Sequence, residues 1–373
     1  MNLLISALIW LAVLGLLAGA MWWAYRTPPR VSLARAVVPN GFQGTRLPLT
    51  VRLTLRSRLP VRYLIEDPTP RTVVPDATLR LSGELLGHAE REVRATLTLN
   101  SRGVYDWPGA TLHWADPLGL FWRSVPIAAP QRVAVFPAPH GLRLPELLRP
   151  LLSEGGLSRR LGLDDPISLR SVREYSSGDP PGRIHWRSSA RTGTLAVREP
   201  ERTAASSVTV YLDVSSGGDV FTESAVRLAA SLVQEALALE LPVSVATNAG
   251  ATPTGRHAEA LHAALLRLAQ LRPDPAPPVI PPGRSGGNLI ILSASPAPAL
   301  IAGAMRARAT ASRVAIVAMP EGFYLEPGER PRRQWVAAPD TVRNLERQAG
   351  VLAGAGILVF VLRGNQSVLR LGG

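Results

Sequence analysis

The chain has 373 residues, enough for two or three domains whose cores need no covalent staples. It contains no cysteine, which excludes disulfides and thiol chemistry. Every basic side chain behind the formal net charge of +13 is arginine, a bias typical of a GC-rich genome. Because the arginines are spread along the chain and not interleaved with aromatic residues, we do not expect nucleic-acid binding.

The N-terminal stretch predicts a transmembrane helix that binds the lipid bilayer. Residues 3–25 carry no charged side chain. At about 1.5 Å per residue, a helix of this length crosses a hydrocarbon core of roughly 30 Å. Trp22, Trp23 and Tyr25 lie at its end, where aromatic rings favour the headgroup level. The alternative is a cleaved signal peptide ending near Ala18-Gly19-Ala20, but the stretch has no positive charge before its apolar part.

Arginines directly after this helix predict its orientation. Arg26, Arg30 and Arg35 belong to a stretch, 26–36, that we interpret as a basic juxtamembrane linker. By the positive-inside rule, the N-terminus then lies outside and the bulk of the chain in the cytoplasm. We therefore expect a single-pass protein of the cell membrane. A periplasmic envelope protein is the alternative.

Residues 37–140 show the period of two that is typical of half-buried strands. Apolar and polar residues alternate from Leu47 to Leu55, and the pattern recurs at 77–81, 93–99 and 110–114. Several short strands at this spacing predict an antiparallel β-sandwich of immunoglobulin-like class. In residues 116–122, Asp-Pro-Leu-Gly predicts a turn, and the Leu-Phe-Trp that follows it is expected to fill core.

Residues 141–205 are expected to hold a connecting helix, from leucines at helical spacing, and then a polar segment. Residues 172–199 read VREYSSGDPPGRIHWRSSARTGTLAVRE, a density of Arg, carboxylate and imidazole groups that predicts a fixed network. We expect Ile184 and Trp186 on a short strand, with Trp186 packed beneath a partly buried network, although an exposed docking surface is the alternative. The expected members are Arg173, Glu174, Asp179, Arg183, His185, Trp186 and Arg191.

Residues 206–373 alternate buried strands with amphipathic helices, which predicts a doubly wound, Rossmann-like parallel sheet. Strands are expected at 207–213, 242–246, 288–292, 313–317 and 357–362, and helices around 225–237, 260–268, 299–309 and 341–353.

The sequence Asp213-Val214-Ser215-Ser216-Gly217 after the first of these strands resembles the D-x-S-x-S motif of von Willebrand factor A domains. In those domains the serine hydroxyls coordinate Mg²⁺, a hard cation that prefers oxygen ligands. Asp213 and Ser215 match, but Gly217 replaces the second serine, and Ser293-Ala294-Ser295 offers no carboxylate after a later strand. The resemblance implies a von Willebrand A-like domain with a degenerate site. We expect no bound metal and no cofactor. A Mg-dependent ligand binder is the alternative.

The sequence gives little support for a catalytic site. Asp179, His185 and Ser189 are the residue types of a hydrolase triad, but no G-x-S-x-G elbow surrounds the serine. The absence of lysine excludes a P-loop of the Walker type. We therefore predict that the protein is not an enzyme.

The polar segment resembles a known family signature. Residues 173–195 match the pattern R-E-Y-x-x-G-D-x-x-R-x-I-x-W-x-x-S-A-R-x-G-x-L of the bacterial domain of unknown function fifty-eight, apart from an extra proline pair, Pro180–Pro181. Residues 102–123 are similar to a second stretch of that family, R-G-x-Y…D-P-x-G-L-F. Members are frequently encoded beside MoxR-type AAA+ ATPases. The resemblance thus implies a membrane-anchored, non-enzymatic interaction or adaptor module with such an ATPase as partner.

The fold class that we predict is multidomain, with an N-terminal transmembrane helix, an immunoglobulin-like β-sandwich and a von Willebrand A-like α/β domain. The predicted boundaries are 1–25 for the helix, 26–36 for the linker, 37–140 for the sandwich, 141–205 for the connecting helix and signature, and 206–373 for the α/β domain.

Overall fold

The structure is a computed structural model. It describes residues 2–138, 169–176, 184–200, 207–282, 286–320 and 340–362. The chain divides into two compact units, Met1–Phe136 and Pro137–Gly373. The predicted connecting helix after residue 141 lies outside the described residues, as do Asp179 and Arg183 of the predicted network.

The first unit begins with the apolar helix α1, Asn2–Ala24. Its segment Ile5–Ala24 has a mean hydropathy of 2.1 and is not buried within the protein. Among the described residues it is the one helix long and apolar enough to cross a membrane. A signal sequence near an N-terminus meets the same criteria of length and composition. The helix is therefore a candidate membrane span, and its orientation stays a prediction.

Strands make up the rest of the first unit. They are β1 (Arg30–Val37), β2 (Asn40–Phe42), β3 (Arg46–Glu66), β4 (Val73–Pro75), β5 (Arg80–Leu99), β6 (Gly103–Ala115) and β7 (Arg123–Phe136). Hydrogen bonds join them in one seven-stranded sheet of order β2-β7-β6-β3-β5-β4, with β1 paired to β3. The strands predicted at residues 47–55, 93–99 and 110–114 lie within β3, β5 and β6. The grouping of these strands into an immunoglobulin-like sandwich stays a prediction.

A break in register lets β3 serve two neighbours on the same side. β3 spans 21 residues, and its pairing with β5 shifts between Ser57 and Val61. Before the shift β3 pairs with β1, and after it with β6. Irregularities of this kind bend a strand and turn a sheet around its core. The core so enclosed contains Leu53, Ile65, Leu97, Trp107, Leu112 and Val133.

The prediction of a linker over residues 26–36 is wrong for its larger part. β1 begins at Arg30 and pairs antiparallel with β3 along its whole length. Val31, Leu33, Arg35 and Val37 share one face of the strand, where the three apolar side chains pack against the core, and the residues of the other face are exposed. This is the period of a half-buried strand, which the basic residues between them had obscured.

The second unit contains a small β-sheet motif over the signature segment. β8 (Leu169–Glu174) and β9 (Ala196–Pro200) pair antiparallel. Between them lies the short helix α2, Trp186–Thr192. The expectation that Ile184 and Trp186 share a strand is therefore wrong, because the helix begins at Trp186 and only Ile184 forms a bridge, with Val197. Gly193 ends the helix in the left-handed conformation, with φ of 74°.

A six-stranded sheet forms the centre of the second unit. Its strands are β10 (Val208–Asp213), β11 (Val243–Thr247), β12 (Gly250–Ala251), β13 (Asn288–Ser293), β14 (Arg313–Ala318) and β15 (Ile357–Val361). The order is β12-β11-β10-β13-β14-β15. β12 is antiparallel to its neighbour and the other pairs are parallel. The predicted parallel sheet is thus confirmed, with its strands within a residue or two of the expected positions.

Helices cover this sheet as its sequence predicts. α3 (Asp219–Ala238) and α4 (Ala258–Gln270) contact β10 and β11. α5 (Pro298–Arg308) and α6 (Asp340–Gly354) contribute Leu300 and Leu345 to a cluster with Ile291 and Ile316 of the sheet. Ile280, in the proline-rich connection before β13, packs against the same cluster.

Candidate functional site

The parallel sheet brings Asp213 and Ser293 together at its carboxyl edge. These residues end β10 and β13 and are direct partners in the register of the two strands. The chain leaves β10 toward β11 and leaves β13 toward β14, on opposite sides. Open α/β sheets bind ligands at such a switch point. The carboxyl edge at Asp213 is therefore the candidate site, and the hydrogen bond between Ser293 and Asp213 is a contact that the sequence did not predict.

The Asp213 carboxylate accepts hydrogen bonds from two serine hydroxyl groups of the protein. Its Oδ1 accepts hydrogen bonds from the Ser215 amide at 3.1 Å and the Ser215 hydroxyl at 2.5 Å. Its Oδ2 accepts one from the Ser293 hydroxyl at 2.7 Å. Only 1% of Asp213 is exposed. A carboxylate buried and bonded in this way holds the loop after β10 in place.

Gly217 closes the position where a second metal-binding hydroxyl would be needed. Its φ is 101°, a left-handed conformation that side chains rarely adopt. A Cβ here would lie 2.8 Å from the Cβ of Ala294 and 2.8 Å from Cδ1 of Phe221. Within the part of the chain that the structure describes, no group of three or more His, Asp or Glu side chains is placed to hold a metal. The residues present do not fit a magnesium ion.

A second polar cluster fixes the proline-rich connection near the same edge. The Tyr211 hydroxyl donates to Oδ1 of Asn248 at 2.7 Å, and the same oxygen accepts the amide of Val279 at 3.0 Å. The amide of Asp274 donates to the carbonyl of Val214 at 3.1 Å. Burial, and secondly the nearby Asp213 carboxylate, raise the pKa of the Tyr211 phenol. Sequence reasoning missed this cluster, for which Asn248 directly after β11 was the available signal.

The side chains of His185 and Ser189 do not form a nucleophile and base. His185 caps α2, and its Nδ1 accepts the amide of Ser188 at 3.1 Å. The Ser189 hydroxyl donates to the His185 carbonyl at 3.1 Å and accepts the Ala196 amide at 2.9 Å. Both side chains thus hold the backbone of the motif together.

Other members of the signature segment are exposed. Trp186 is 68% exposed, so the hypothesis that it packs beneath a buried network is wrong for this side chain. Arg191 is exposed, and Nη1 of Arg173 donates to the Glu174 carbonyl at 3.0 Å in an exposed contact. Hydrogen bonds therefore fix the backbone of the motif, while the side chains of Trp186, Arg173 and Arg191 are exposed to solvent. Because Asp179 and Arg183 lie outside the described residues, their part in the network stays a prediction.

The first unit contains a buried charged cluster that sequence reasoning missed. Arg35 binds Asp67 through two hydrogen bonds, from Nε at 2.8 Å and from Nη2 at 2.6 Å. The Arg35 and Asp67 side chains are 1% and 3% exposed. Nε1 of Trp107 donates to the same carboxylate at 2.8 Å, and the guanidinium lies 4.1 Å from the centre of the Trp107 ring. The available signal was position, since Arg35 falls among the inward-facing residues of β1.

The loop between β6 and β7 differs from its prediction in one respect. The turn is confirmed, because the buried Asp116 carboxylate accepts the amides of Leu118 at 2.9 Å and Phe121 at 2.8 Å. Leu118, Leu120 and Trp122 are 68%, 62% and 52% exposed. The expectation that this segment fills core is therefore wrong for Leu120 and Trp122.

One family model matches part of this chain. Residues 171–279 match the model of a family described as "Protein of unknown function DUF58", which confirms the resemblance found in the signature segment. No curated protein shows significant similarity to the chain.

Solved structures align with about a third of the chain or less. The ASH/PapD-like domain of human CEP192 is 13% identical, with a TM-score of 0.23, over 31% of this chain and 92% of that one. A protein of unknown function from Porphyromonas gingivalis W83 is 14% identical, with a TM-score of 0.23, over 30% and 49%. The PKD domain of an M14-like peptidase from Thermoplasmatales archaeon SCGC AB-540-F20 is 21% identical, with a TM-score of 0.15, over 28% and 98%. These scores are too low to carry an argument about fold or function.

Proposed function

We propose that this chain, whose residues 171–279 carry the DUF58 family segment, is a membrane-anchored, non-enzymatic interaction module. The observation that carries the proposal is the exposed surface of the signature motif. Trp186, Leu195 and Tyr175 are 68%, 47% and 37% exposed on a frame held by β8, β9 and the capped helix α2. Large apolar groups presented together on a bonded frame are typical of a protein-binding surface, in which Trp, Tyr and Arg contribute most of the affinity.

The proposal includes a von Willebrand A-like fold for the second unit and an immunoglobulin-like fold for the first. When only the strands of the six-stranded sheet are numbered in chain order, the sheet order is 3-2-1-4-5-6, with a short antiparallel strand at the edge. Together with Asp213 and Ser215 after the first strand, this supports a von Willebrand A-like domain whose metal site is degenerate. The long alternating strands around a Trp-containing core support an immunoglobulin-like class for the first unit.

The partner that we propose is a MoxR-type AAA+ ATPase, which rests on the family resemblance. Such an ATPase is cytosolic, so the proposal requires the bulk of the chain in the cytoplasm. Arg26 and Arg30 favour that orientation by the positive-inside rule. Arg35, which we first counted with them, is paired with Asp67 in the folded protein and adds no net charge to the membrane-facing side.

The test measures binding of the full chain, in detergent micelles, to a purified MoxR-type AAA+ ATPase from the same organism. We expect Trp186→Ala combined with Arg191→Ala to weaken binding by about tenfold or more, equivalent to about 1.4 kcal/mol. Their exposure predicts an unchanged melting temperature. Trp122→Ala, which truncates an exposed tryptophan of the other unit, is the matched control and should bind normally. Wild-type affinity in the double variant, or no binding by the wild-type chain, would contradict the proposal.

The alternative of a Mg-dependent ligand binder has less support, because Gly217 leaves no space for the missing hydroxyl. The alternative of a periplasmic envelope protein differs from the main proposal in orientation alone. A reporter fused to the C-terminus distinguishes the cytoplasmic from the periplasmic orientation.

A further inference from the structure

We propose that the loop Asp116–Arg123 is a second membrane contact, which lies in the headgroup region of the bilayer beside the end of α1. The inference rests on the proposed role of α1 as a membrane anchor. It goes beyond that role because it assigns a lipid-binding surface to the β domain itself.

The loop presents large apolar side chains to solvent at one point of the sheet. Leu118, Leu120 and Trp122 are each more than half exposed, on the segment between two neighbouring strands. Single exposed apolar residues are ordinary, but a group of them within one turn marks a surface that something covers.

The loop is held in one conformation before it meets any partner. Asp116 is fully buried, and its Oδ2 accepts the amides of Leu120 at 2.9 Å and Phe121 at 2.8 Å. The Gly119 amide donates to the Asp116 carbonyl at 2.9 Å, and Gly119 adopts a positive φ of 74°. Because the loop backbone is already fixed, binding loses little backbone freedom, and this lowers the ordering cost that opposes burial of the apolar tips.

Contacts join this loop to the end of the membrane helix. Nη2 of Arg123 donates to the Trp22 carbonyl at 3.0 Å, and its guanidinium lies 4.8 Å from the centre of the Trp22 ring. Nε1 of Trp114 donates to the Tyr25 carbonyl at 3.0 Å, and Tyr25 is buried in the core of the β domain. The helix end and the loop are thus parts of one packed structure. When Trp22 lies at the headgroup level, as belts of aromatic residues do, the loop lies at a similar depth.

Charges around the loop fit the same occupant. Arg26 lies over the ring of Trp23, 4.8 Å from its centre. A Cβ on Gly119 would lie 3.4 Å from Nη1 of Arg62, which places that guanidinium against the loop as well. Arg62 is paired with Glu84, from Nε to Oε1 at 3.2 Å, so the net positive charge at this end of the domain comes from Arg123 and Arg26. Arginine binds lipid phosphates from this position, and anionic headgroups attract it. Continuity with the helix and this charge favour the bilayer over a protein partner.

The experiment uses the absence of cysteine in the chain to place one fluorophore at a time. Leu120→Cys carries an environment-sensitive dye in the loop. Ile9→Cys, within α1, reports the anchor. Val74→Cys is the matched control, because Val74 is an exposed apolar residue at the far end of the β3–β5 ribbon, where Thr98 pairs with both Val74 and Arg46. Arg46 lies 11 residues before Ser57, where the register shifts, so roughly 36 Å of strand separates this end of the ribbon from the shift.

Each labelled full-length chain is reconstituted into phosphatidylcholine vesicles with and without phosphatidylglycerol. Spin-labelled lipids quench dyes at the headgroup or mid-chain depth, and iodide quenches dyes in water. We expect the dye at position 120 to be quenched by headgroup-region spin labels and protected from iodide, more strongly with phosphatidylglycerol present. The dye at position 74 should show the reverse, and the dye at position 9 should be quenched by mid-chain labels.

The outcomes separate this inference from the anchor. If the dye at position 9 escapes lipid quenching, the anchor fails and the loop contact with it. If position 9 is quenched but position 120 is as accessible to iodide as position 74, the loop contact is refuted and the anchor stands. Protection of position 120 from both iodide and lipid labels would mean that protein covers the loop, which also overturns the inference.

Discussion

Removal of the Asp67 carboxylate tests the buried cluster of the first unit. Asp67→Ala would leave the Arg35 guanidinium buried with its charge unpaired, and Nε1 of Trp107 without an acceptor. Truncation of one partner of a buried ion pair costs about 3–5 kcal/mol. A domain of this size loses about 4–8 °C of melting temperature per kcal/mol. We therefore expect the melting temperature of the β domain to fall by at least about 12 °C. A loss of this size is a large part of the roughly 5–15 kcal/mol by which folded domains are stable.

The assay is thermal unfolding of the full chain in detergent micelles, followed by tryptophan fluorescence, to which the buried Trp107 contributes. Asp106→Ala is the matched control, since its pair with Arg132 is in the same sheet but 75% and 71% exposed. Exposed pairs contribute about 0–1 kcal/mol, so that variant should melt close to wild type. Replacing both partners, Arg35→Met with Asp67→Leu, should recover part of the loss because no unpaired charge remains. If Asp67→Ala melts like Asp106→Ala, the cluster is not the buried network described here.

The remaining predictions concern orientation, metal and pH. A cytoplasm-only reporter fused to the C-terminus should be active, and activity of a periplasm-only phosphatase there would overturn the orientation and the ATPase partner together. Millimolar Mg²⁺ should leave the melting temperature unchanged, and Gly217→Ser should lower it, because its Cβ would overlap Ala294 and Phe221. A chelator-reversible stabilisation lost in Asp213→Ala would contradict this. The raised pKa of the Tyr211 phenol means that the unfolded chain ionises first, above pH of about 10. The resulting stability is present below that pH and is lost as the pH rises toward the folded pKa. The melting temperature of Tyr211→Phe should therefore fall less steeply with pH in this range than that of the wild-type chain. Equal slopes would refute the raised pKa of Tyr211.

Much of the fold could be predicted because local periodicity carries it. The period of two gave β3 and β6, and the alternation of apolar strands with amphipathic helices gave the parallel sheet that contains β10 and β13. The segment around Trp186 was mistaken for a strand, since apolar residues two positions apart also occur at the start of a helix. What decided the helix was its caps, His185 and Gly193, whose contacts are not visible in a hydrophobic pattern.

The candidate site could be predicted in part. Asp213 and Ser215 are close in sequence and follow a buried strand, so their position at the sheet edge was accessible to reasoning from the motif. Ser293 is 80 residues away from Asp213, and only the register of β10 against β13 shows that its hydroxyl completes the carboxylate's hydrogen bonds. The closed space at Gly217 likewise depends on Ala294, which a parallel strand brings near.

The sequence by itself determined the apolar N-terminal helix, the long strands of the first unit, the parallel strands and helices of the second, and the family resemblance of the signature segment. Each of these is a property of consecutive residues. The tertiary structure decided which polar groups meet. Arg35 occupies an inward position of β1, but its partner Asp67 lies 32 residues further on, and no local pattern specifies that pairing. Side-chain periodicity fixes the face that a residue occupies, whereas burial of its charge requires the folded sheet to bring an opposite charge to the same point.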